Sequence, residues 1–505
     1  MPATVRSAAI VGIDAVPVEV QVEELQGLPS VTIVGLPDAA VREARERITA
    51  ALQNTGLVPP RHRTIVNLAP AHLRKEGAQY DLPIALAFLA ATGQLLRVPD
   101  DTLVVGALNL DGSLQPIPGV FAIAECAGRE GMRSLVVPPG NAPEARAAGL
   151  SVFAPATVKE LLDHLEGRAP LTPVAAEANL PRAVSSDIPD LAAIAEQAHA
   201  KRALEVAAAG GHNLLLHGPP GAGKSLLAKA LLGVLPALSD IEAFEVTKIW
   251  SIRGLLSAGS GIVGTRPFRT PHHSISAVAL VGGGTNPQPG EVTIAHRGVL
   301  FLDEFAEFPR HVLEHLRQPL EEGVVHVSRA SSSVTFPAQF TLVAAMNPCP
   351  CGYAGDPTHL CRCPPGTVLR YRERVSGPLL DRIDLHVHVP PVAPRALLSS
   401  TDHGEPSATV RARVAKARER QAHRFQDPTR INAHLAFAEM KHHCVLSAEG
   451  TSLLEHAATK LGLSARGIHR VLRIARTIAD LGGEERVSVP HVAEALQYRA
   501  PFPEL

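Results

Sequence analysis

The sequence predicts an α/β protein organised around a parallel sheet, and three segments carry that expectation. The apolar run Asn213-Leu214-Leu215-Leu216-His217 leads directly into Gly218-Pro219-Pro220-Gly221-Ala222-Gly223-Lys224-Ser225 and then the helical pattern Leu226-Leu227-Ala228-Lys229-Ala230. A second apolar run, Gly298-Val299-Leu300-Phe301-Leu302, ends in Asp303-Glu304. A third, Phe340-Thr341-Leu342-Val343-Ala344-Ala345-Met346, ends in Asn347. Uninterrupted apolar runs mark parallel strands buried on both faces, and the ligands of such sheets sit beyond the carboxyl ends of the strands.

The first segment reads as strand, glycine-rich loop and helix with the spacing of a phosphate-binding P-loop. Gly218, Gly221 and Gly223 let backbone N–H groups approach phosphate oxygens, with Pro219, Pro220 and Ala222 completing the loop. The helix N-terminus adds a favourable dipole. Lys224 is expected to reach the β- and γ-phosphates and Ser225 to hold Mg²⁺. Asp303 would join the Mg²⁺ shell, and Glu304 would polarise the water that attacks the γ-phosphate. Asn347 would hold that water or sense the γ-phosphate. ATP and Mg²⁺ are therefore the expected ligands.

The chain has 505 residues, enough for roughly three domains. Residues 1–165 read as a mixed α/β domain. Its first dozen residues show no neat alternation, whereas Val18-Glu19-Val20-Gln21-Val22 alternates as a half-buried strand does. Asp38 to Leu52 reads as a helix capped by Asp38, and Pro83 to Leu95 as an apolar helix with proline at its start. Thr64–Leu68 and Leu103–Gly106 read as strands. Residues 166–188, rich in proline, alanine and charge, read as a linker. Residues 189–395 hold the alternating strands and helices of the sheet domain, and 405–505 are helical. Within that last part Arg411, Arg413, Lys416, Arg418, Arg420 and Arg424 lie on one helix, most simply as a solvated face.

Formal net charge is −1, from 48 basic and 49 acidic side chains, so any contact with nucleic acid must be local. Aromatic content is only 4%, which leaves the cores to aliphatic and alanine-rich helices. No secretory h-region and no apolar run of about 18 residues appears, so a soluble, cytoplasmic protein without a membrane segment is expected. Four of the six cysteines form a CxC–x9–CxC array, Cys349-Pro350-Cys351 and Cys361-Arg362-Cys363. Four thiolates at short spacing suggest a structural Zn²⁺ site. His359 could replace one cysteine, and four reduced, unligated thiols are the alternative. A metal there would brace the loop between Asn347 and Arg382.

The sheet domain resembles the magnesium-chelatase-like AAA+ ATPases, and the whole chain resembles the YifB/ComM family. The resemblance rests on Pro267-Phe268-Arg269-Thr270-Pro271-His272-His273-Ser274, Val281-Gly282-Gly283-Gly284, Pro289-Gly290-Glu291 and Ala295-His296-Arg297-Gly298 running on to Phe305. Asn347-Pro348-Cys349-Pro350-Cys351-Gly352 and Ser376-Gly377-Pro378-Leu379-Leu380-Asp381-Arg382-Ile383-Asp384 extend it. It implies an AAA+ core followed by a helical lid. It implies that Arg382 is an arginine finger acting on a neighbouring subunit's γ-phosphate, that Arg466 is the sensor-2 arginine of the lid, and that the assembly is a homohexamer. It implies inserts from about Arg253 to Glu291 and a hairpin of Val324–Arg329 with Val334–Phe336, turning at Ala330–Ser333. Arg266, Arg269, Arg329, His272 and His273 are then candidates for DNA phosphate contact, the histidines equally as internal hydrogen-bonding residues. The implied activity is an ATP-driven DNA helicase promoting branch migration on single-stranded and branched DNA during recombination of transforming DNA. The other classes weighed are a chelatase subunit, a protease and a non-motor scaffold.

The N-terminal domain resembles the proteolytic domain of Lon, through Lys75-Glu76-Gly77, Ile84-Ala85, Gly106 to Gly119 and Val136 to Asn141. Lon uses a Ser–Lys dyad. The serine position here holds Gln79 or Asp81, depending on the register, and the lysine position holds Phe121. Neither pair can activate a hydroxyl, so no peptidase activity is expected.

Overall fold

The computed structural model describes residues 2–175, 182–183, 188–256, 259, 261–284, 286–329, 332–356, 359–393 and 404–499. Most of the expected linker after Ala175, the hairpin turn at Ala330-Ser331 and the residues after Arg499 lie outside them. The chain divides into two units, Met1–Val184 with Ser239–Thr265, and Ser185–Leu238 with Arg266–Leu505.

The first unit is built on a mixed sheet of seven strands among the described residues. Their order is Ser30–Val34, Arg63–Ala69, Asp14–Leu25, Ala3–Val11, Thr102–Val104, Ser134–Val136 and Ser151–Phe153. The alternating segment lies in Asp14–Leu25, with Val18, Val20 and Val22 buried. Ala3–Val11 is central, and Ser7, Ala8 and Ala9 are buried in succession, which is why it shows no alternation. The helix Ala39–Asn54 begins at Asp38, whose carboxylate accepts from Val41 N at 2.8 Å. The apolar helix spans Asp81–Ala91 rather than starting at Pro83. It is buried from Asp81 to Leu89, and Arg47 grips the Asp81 carboxylate at 2.7 and 2.8 Å.

Residues Ser239–Thr265 were expected within the sheet domain, and they belong instead to the first unit. The helix Asp240–Ile252 carries a capping box between Ser239 and Glu242. Ile252 shares a core with Val120, Ile123 and Ala124, while Lys248 lies 2.6 Å from both Asp14 and Glu125. Ser251 donates to Glu144 at 2.5 Å. Apolar burial and these charge-assisted bonds hold the segment there.

The second unit holds a parallel sheet of five strands among the described residues, ordered Phe268–Arg269, Val299–Leu302, Thr341–Met346, Leu214–His217 and Leu385–His388. Every residue of Leu214–His217, Val299–Leu302 and Thr341–Met346 is buried, as the apolar runs predict. Leu214–His217, first of these strands in the chain, lies between the fourth and fifth, which makes its carboxyl end a topological switch point. The helix Lys224–Val234 follows it.

The C-terminal helices are Ser407–Phe425, Phe437–His443, Ala448–Leu461, Ala465–Gly482 and Val489–Gln497. The basic run on the first is a solvated face only in part: Arg411 and Lys416 are exposed, whereas Arg413, Arg418, Arg420 and Arg424 bond inward. Arg413 pairs with Glu205 at 2.6 Å and with Glu405, and Arg418 donates to Ala208 O at 2.7 Å. Arg424 pairs with buried Asp480, which also meets Arg476 at 2.9 Å and Asn432 at 2.8 Å. These arginines clamp the helices to the sheet domain and to each other.

Candidate nucleotide site and cysteine cluster

The loop Gly218–Gly223 turns sharply off the central strand. A Cβ on Gly218 would lie 2.1 Å from Val389 O, and Gly223 caps the following helix at φ +87°. Lys224 is buried and its Nζ donates to Gly218 O at 2.7 Å, Pro219 O at 2.8 Å and Asn347 Oδ1 at 3.0 Å. Burial pushes its pKa down to about 8, against the opposing pull of Asp303. Ser225 Oγ donates to Asp303 Oδ2 at 2.7 Å. One hydroxyl and one carboxylate thus meet beside the helix N-terminus, a donor set suited to a hard divalent cation such as Mg²⁺. Glu304 follows in the left-handed region at φ +50°, with its N–H donating to Asp303 Oδ1 at 2.9 Å. Its carboxylate lies 3.2 Å from His273 Nδ1.

Arg382 and Arg466 lie at the opposite end of the sheet. Asn213 and Asp384 precede the strands Leu214–His217 and Leu385–His388, and Asp384 accepts from Asn213 N at 3.0 Å. Arg382 is buried, donates to Pro378 O at 2.7 Å and pairs with Glu321 at 2.5 Å. Arg466 approaches the same Glu321 oxygen at 3.8 Å. Arg470 pairs with Asp384 and donates to Arg382 O at 3.1 Å. Although burial opposes it, Arg470 and His212 hold Asp384 well below the usual carboxylate range. A cavity of about 540 Å³ opens here, lined by Glu321, Arg430, Arg466, Arg470 and Arg473 among others. Sequence reasoning missed all of these but Arg466. The spacing of Arg466, Arg470 and Arg473 on one helix face was the available signal.

The four cysteines converge. Their Sγ atoms all lie within 4.8 Å of one another. Cys349 is 3.3 Å from Cys351 and 3.7 Å from Cys361, and Cys351 is 3.6 Å from Cys361. Tetrahedral Zn–S bonds of about 2.3 Å place sulfurs about 3.8 Å apart, so the donor set fits Zn²⁺. Ala354 N donates to Cys349 Sγ at 3.3 Å and Cys363 N to Cys361 Sγ at 3.4 Å, orienting the sulfurs. His359 is not among the converging ligands. It stacks on Tyr353 at 4.9 Å.

Two of the three arginines expected to face DNA, Arg266 and Arg269, have partners within the protein. Arg266 donates to Pro236 O at 2.7 Å and Arg297 O at 2.7 Å. Arg269 forms a two-pronged pair with Glu291 at 2.7 and 3.0 Å. The sequence displays the charge of these two arginines but not the oxygens that meet it. Arg329 ends the hairpin strand Val324–Arg329, and its side chain lies outside what is described. In the first unit, Lys75 is buried and donates to Pro70 O, Gln79 donates to Ala8 O at 3.1 Å, and Phe121 is buried.

Fold and site together define a P-loop nucleotide-binding protein with a helical C-terminal region. The magnesium chelatase subunit ChlI family matches residues 190–397, a second ChlI family matches 18–141, and the ChlI C-terminal family matches 404–499. The chain is 45% identical to the competence protein ComM of Haemophilus influenzae, over 99% of this chain and 97% of that one. It is 43% identical to YifB of Escherichia coli, over 98% and 96%. A shorter match, 39% identical, covers 16% of this chain and 18% of the DNA repair protein RadA of Pseudomonas aeruginosa. The chain belongs to the YifB/ComM family of magnesium-chelatase-like AAA+ proteins, and membership implies ATPase activity with ATP and Mg²⁺. Among the described residues no helix is long and apolar enough to cross a membrane.

Proposed function

We propose that the chain is an ATP-driven homohexameric DNA motor that promotes branch migration during homologous recombination, as in the integration of transforming DNA. One observation carries the ring reading. Lys224, Ser225, Asp303, Glu304 and Asn347 gather at the carboxyl ends of the strands, and Arg382 and Arg466 gather at the amino ends. A four-residue strand spans about 13 Å. Both arginines therefore serve a nucleotide held by a neighbouring copy, and a closed ring supplies one arginine pair to every site.

In this reading Lys224 binds the β- and γ-phosphates, exchanging loop carbonyls for phosphate oxygens. Ser225 and Asp303 hold Mg²⁺, which supplies charge neutralisation on the phosphates. Glu304 orients and deprotonates the attacking water, and Asn347 holds it. Arg382 and Arg466 offset the charge that develops on the γ-phosphoryl group. Cys349, Cys351, Cys361 and Cys363 hold a structural Zn²⁺. The N-terminal unit keeps a Lon-like fold and serves assembly or DNA engagement. Lys75 is bound to a carbonyl, and in either register the serine position, Gln79 or Asp81, and the lysine position, Phe121, hold no Ser–Lys dyad.

The DNA reading is supported by the Haemophilus influenzae relative, a competence protein. Its test is ATP hydrolysis by the purified protein alone and with single-stranded DNA, duplex and a four-way junction, with strand displacement scored in parallel. DNA-stimulated turnover with ATP-dependent displacement is expected. Turnover indifferent to every DNA favours a chelatase-type subunit for metal insertion, the reading that the ChlI family matches support, or a non-motor scaffold. Stimulation of metal insertion into a porphyrin by a partner chelatase separates those two.

A further inference from the structure

The four converging cysteines sit in a turn that touches the phosphate site at two points. Asn347, which accepts from Lys224 Nζ at 3.0 Å, is two residues before Cys349. Gly352 follows Cys351 and donates to Cys349 O at 3.0 Å. It lies so close to the phosphate loop that a Cβ on it would come within 2.6 Å of Pro220 Cδ. Arg372 donates to Pro348 O at 3.3 Å and ties the turn to the helix Pro365–Arg372. The turn therefore has little slack, and a shift of its sulfurs moves Asn347, Gly352 or both. The sulfurs are also accessible. Cys351, Cys361 and Cys363 are partly exposed, and Cys351 Sγ lies 3.3 Å from the buried Cys349 Sγ. The other two cysteines, Cys126 and Cys444, are buried, and burial raises both thiol pKa values, that of Cys444 to about 11. Buried thiols of that kind are inert.

We propose that Cys349, Cys351, Cys361 and Cys363 form an oxidative modification site, at which a peroxide closes two disulfides and thereby stops ATP hydrolysis. The proposal rests on the reading of the four as a Zn²⁺ site beside a working phosphate loop. With hydrogen peroxide as oxidant, the Cys351 thiolate attacks one peroxide oxygen. An S–O bond forms, the O–O bond breaks, and the departing hydroxide takes a proton from solvent and leaves as water. The Cys349 thiolate then attacks the sulfur of the Cys351 sulfenic acid. The S–S bond forms, the S–O bond breaks, and a second hydroxide leaves protonated as water. Cys361 and Cys363 follow in the same way with a second peroxide. Four thiolates, two peroxides and four protons thus give two disulfides and four waters. The paired sulfurs are no longer thiolates, so they release the metal. Thiolates sharing a Zn²⁺ are about 3.8 Å apart, whereas disulfide sulfurs are about 2.05 Å apart. Closing that gap redraws the turn between Asn347 and Gly352, and takes Asn347 from Lys224 and Gly352 from Pro220.

The test treats the full chain, purified under reducing conditions, with hydrogen peroxide. Released Zn²⁺, free thiols, cysteine pairs by peptide mass mapping and ATP hydrolysis are read from the same samples. One Zn²⁺ released per chain and a fall from six free thiols to two are expected, with both disulfides among the four cysteines. kcat/KM for ATP should drop about tenfold or more, in step with disulfide formed, the scale for misplacing reacting groups by about 1 Å. Dithiothreitol with added Zn²⁺ should restore it. Disulfides at the four cysteines with unchanged turnover overturn the proposal. So does inactivation that dithiothreitol and Zn²⁺ do not reverse, or that tracks oxidation elsewhere in the chain. If the purified chain holds no Zn²⁺ but the four thiols still pair and turnover falls reversibly, the metal reading fails and the oxidation site stands. Full turnover in Lys224→Ala removes the phosphate-loop reading and the coupling with it.

Discussion

Lys224 is buried with its ammonium shared among Gly218 O, Pro219 O and Asn347 Oδ1. Removing it keeps the loop's glycine geometry and deletes the cation that meets the phosphates. Lys224→Ala is expected to lower kcat/KM for ATP by about a hundredfold or more, the scale for losing one group that stabilises developing charge. Steady-state ATP hydrolysis measures it, and near-normal turnover removes the P-loop assignment. The same burial sets a pH dependence. Below about 8 the free protein holds Lys224 charged, and above that value it becomes neutral. KM for ATP should therefore rise as pH increases through about 8. Asp384 works at the other end of the sheet. Asp384→Ala leaves Arg470 without its carboxylate in a buried site and should cost about 3–5 kcal/mol in thermal or denaturant unfolding. Because its folded pKa is depressed, the stabilisation is complete above the unfolded value of about 4. It is lost as pH falls below that value.

At the scale of elements, the cysteine array packs against the phosphate loop as well as presenting a donor set that fits a metal. Gly352 sits at φ +88°, and a Cβ there would lie 2.6 Å from Pro220 Cδ. Arg372 donates to Pro348 O at 3.3 Å, tying the helix Pro365–Arg372 to the turn between Asn347 and Cys349. Gly352→Ala should therefore raise KM for ATP while leaving the metal content intact. Metal analysis of the purified chain should find one Zn²⁺ per chain, with its removal by a strong chelator lowering the melting temperature. Chelation that strips zinc and leaves both melting and turnover unchanged separates the metal from the ATPase geometry.

The elements also show what could be read beforehand. The P-loop, Asp303, Glu304 and Asn347 were legible because each follows an uninterrupted apolar run, so chain order alone puts them at one end of a parallel sheet. The convergence of Cys349, Cys351, Cys361 and Cys363 was legible from short spacing, but the exclusion of His359 was not, because its ring is drawn to Tyr353. The meeting of Arg382 and Arg466 on Glu321 was hidden, since it depends on three distant segments reaching one cavity. Local capping announces the helix Asp240–Ile252, yet nothing local names its partners Val120, Asp14 and Glu144.

On the scale of the whole molecule, the proposed reading puts the two halves of an ATP site at opposite ends of one sheet in each copy. In that reading a lone copy holds nucleotide without completing the charge set around the γ-phosphate. Arg382→Ala should bind ATP and hydrolyse it poorly, because the guanidinium acts on charge that develops during transfer. Glu304→Gln should also bind ATP and fail to hydrolyse it, for want of a base. Each variant retains what the other lacks.

Mixing Arg382→Ala with Glu304→Gln subunits, after dissociation and reassembly, tests the composite site directly. In random equimolar rings about a quarter of the interfaces pair an intact Glu304 with an intact neighbouring Arg382. Turnover recovering toward that fraction is the expected result. No recovery at any mixing ratio, with mixed rings demonstrated by native mass spectrometry, would contradict a site shared between copies.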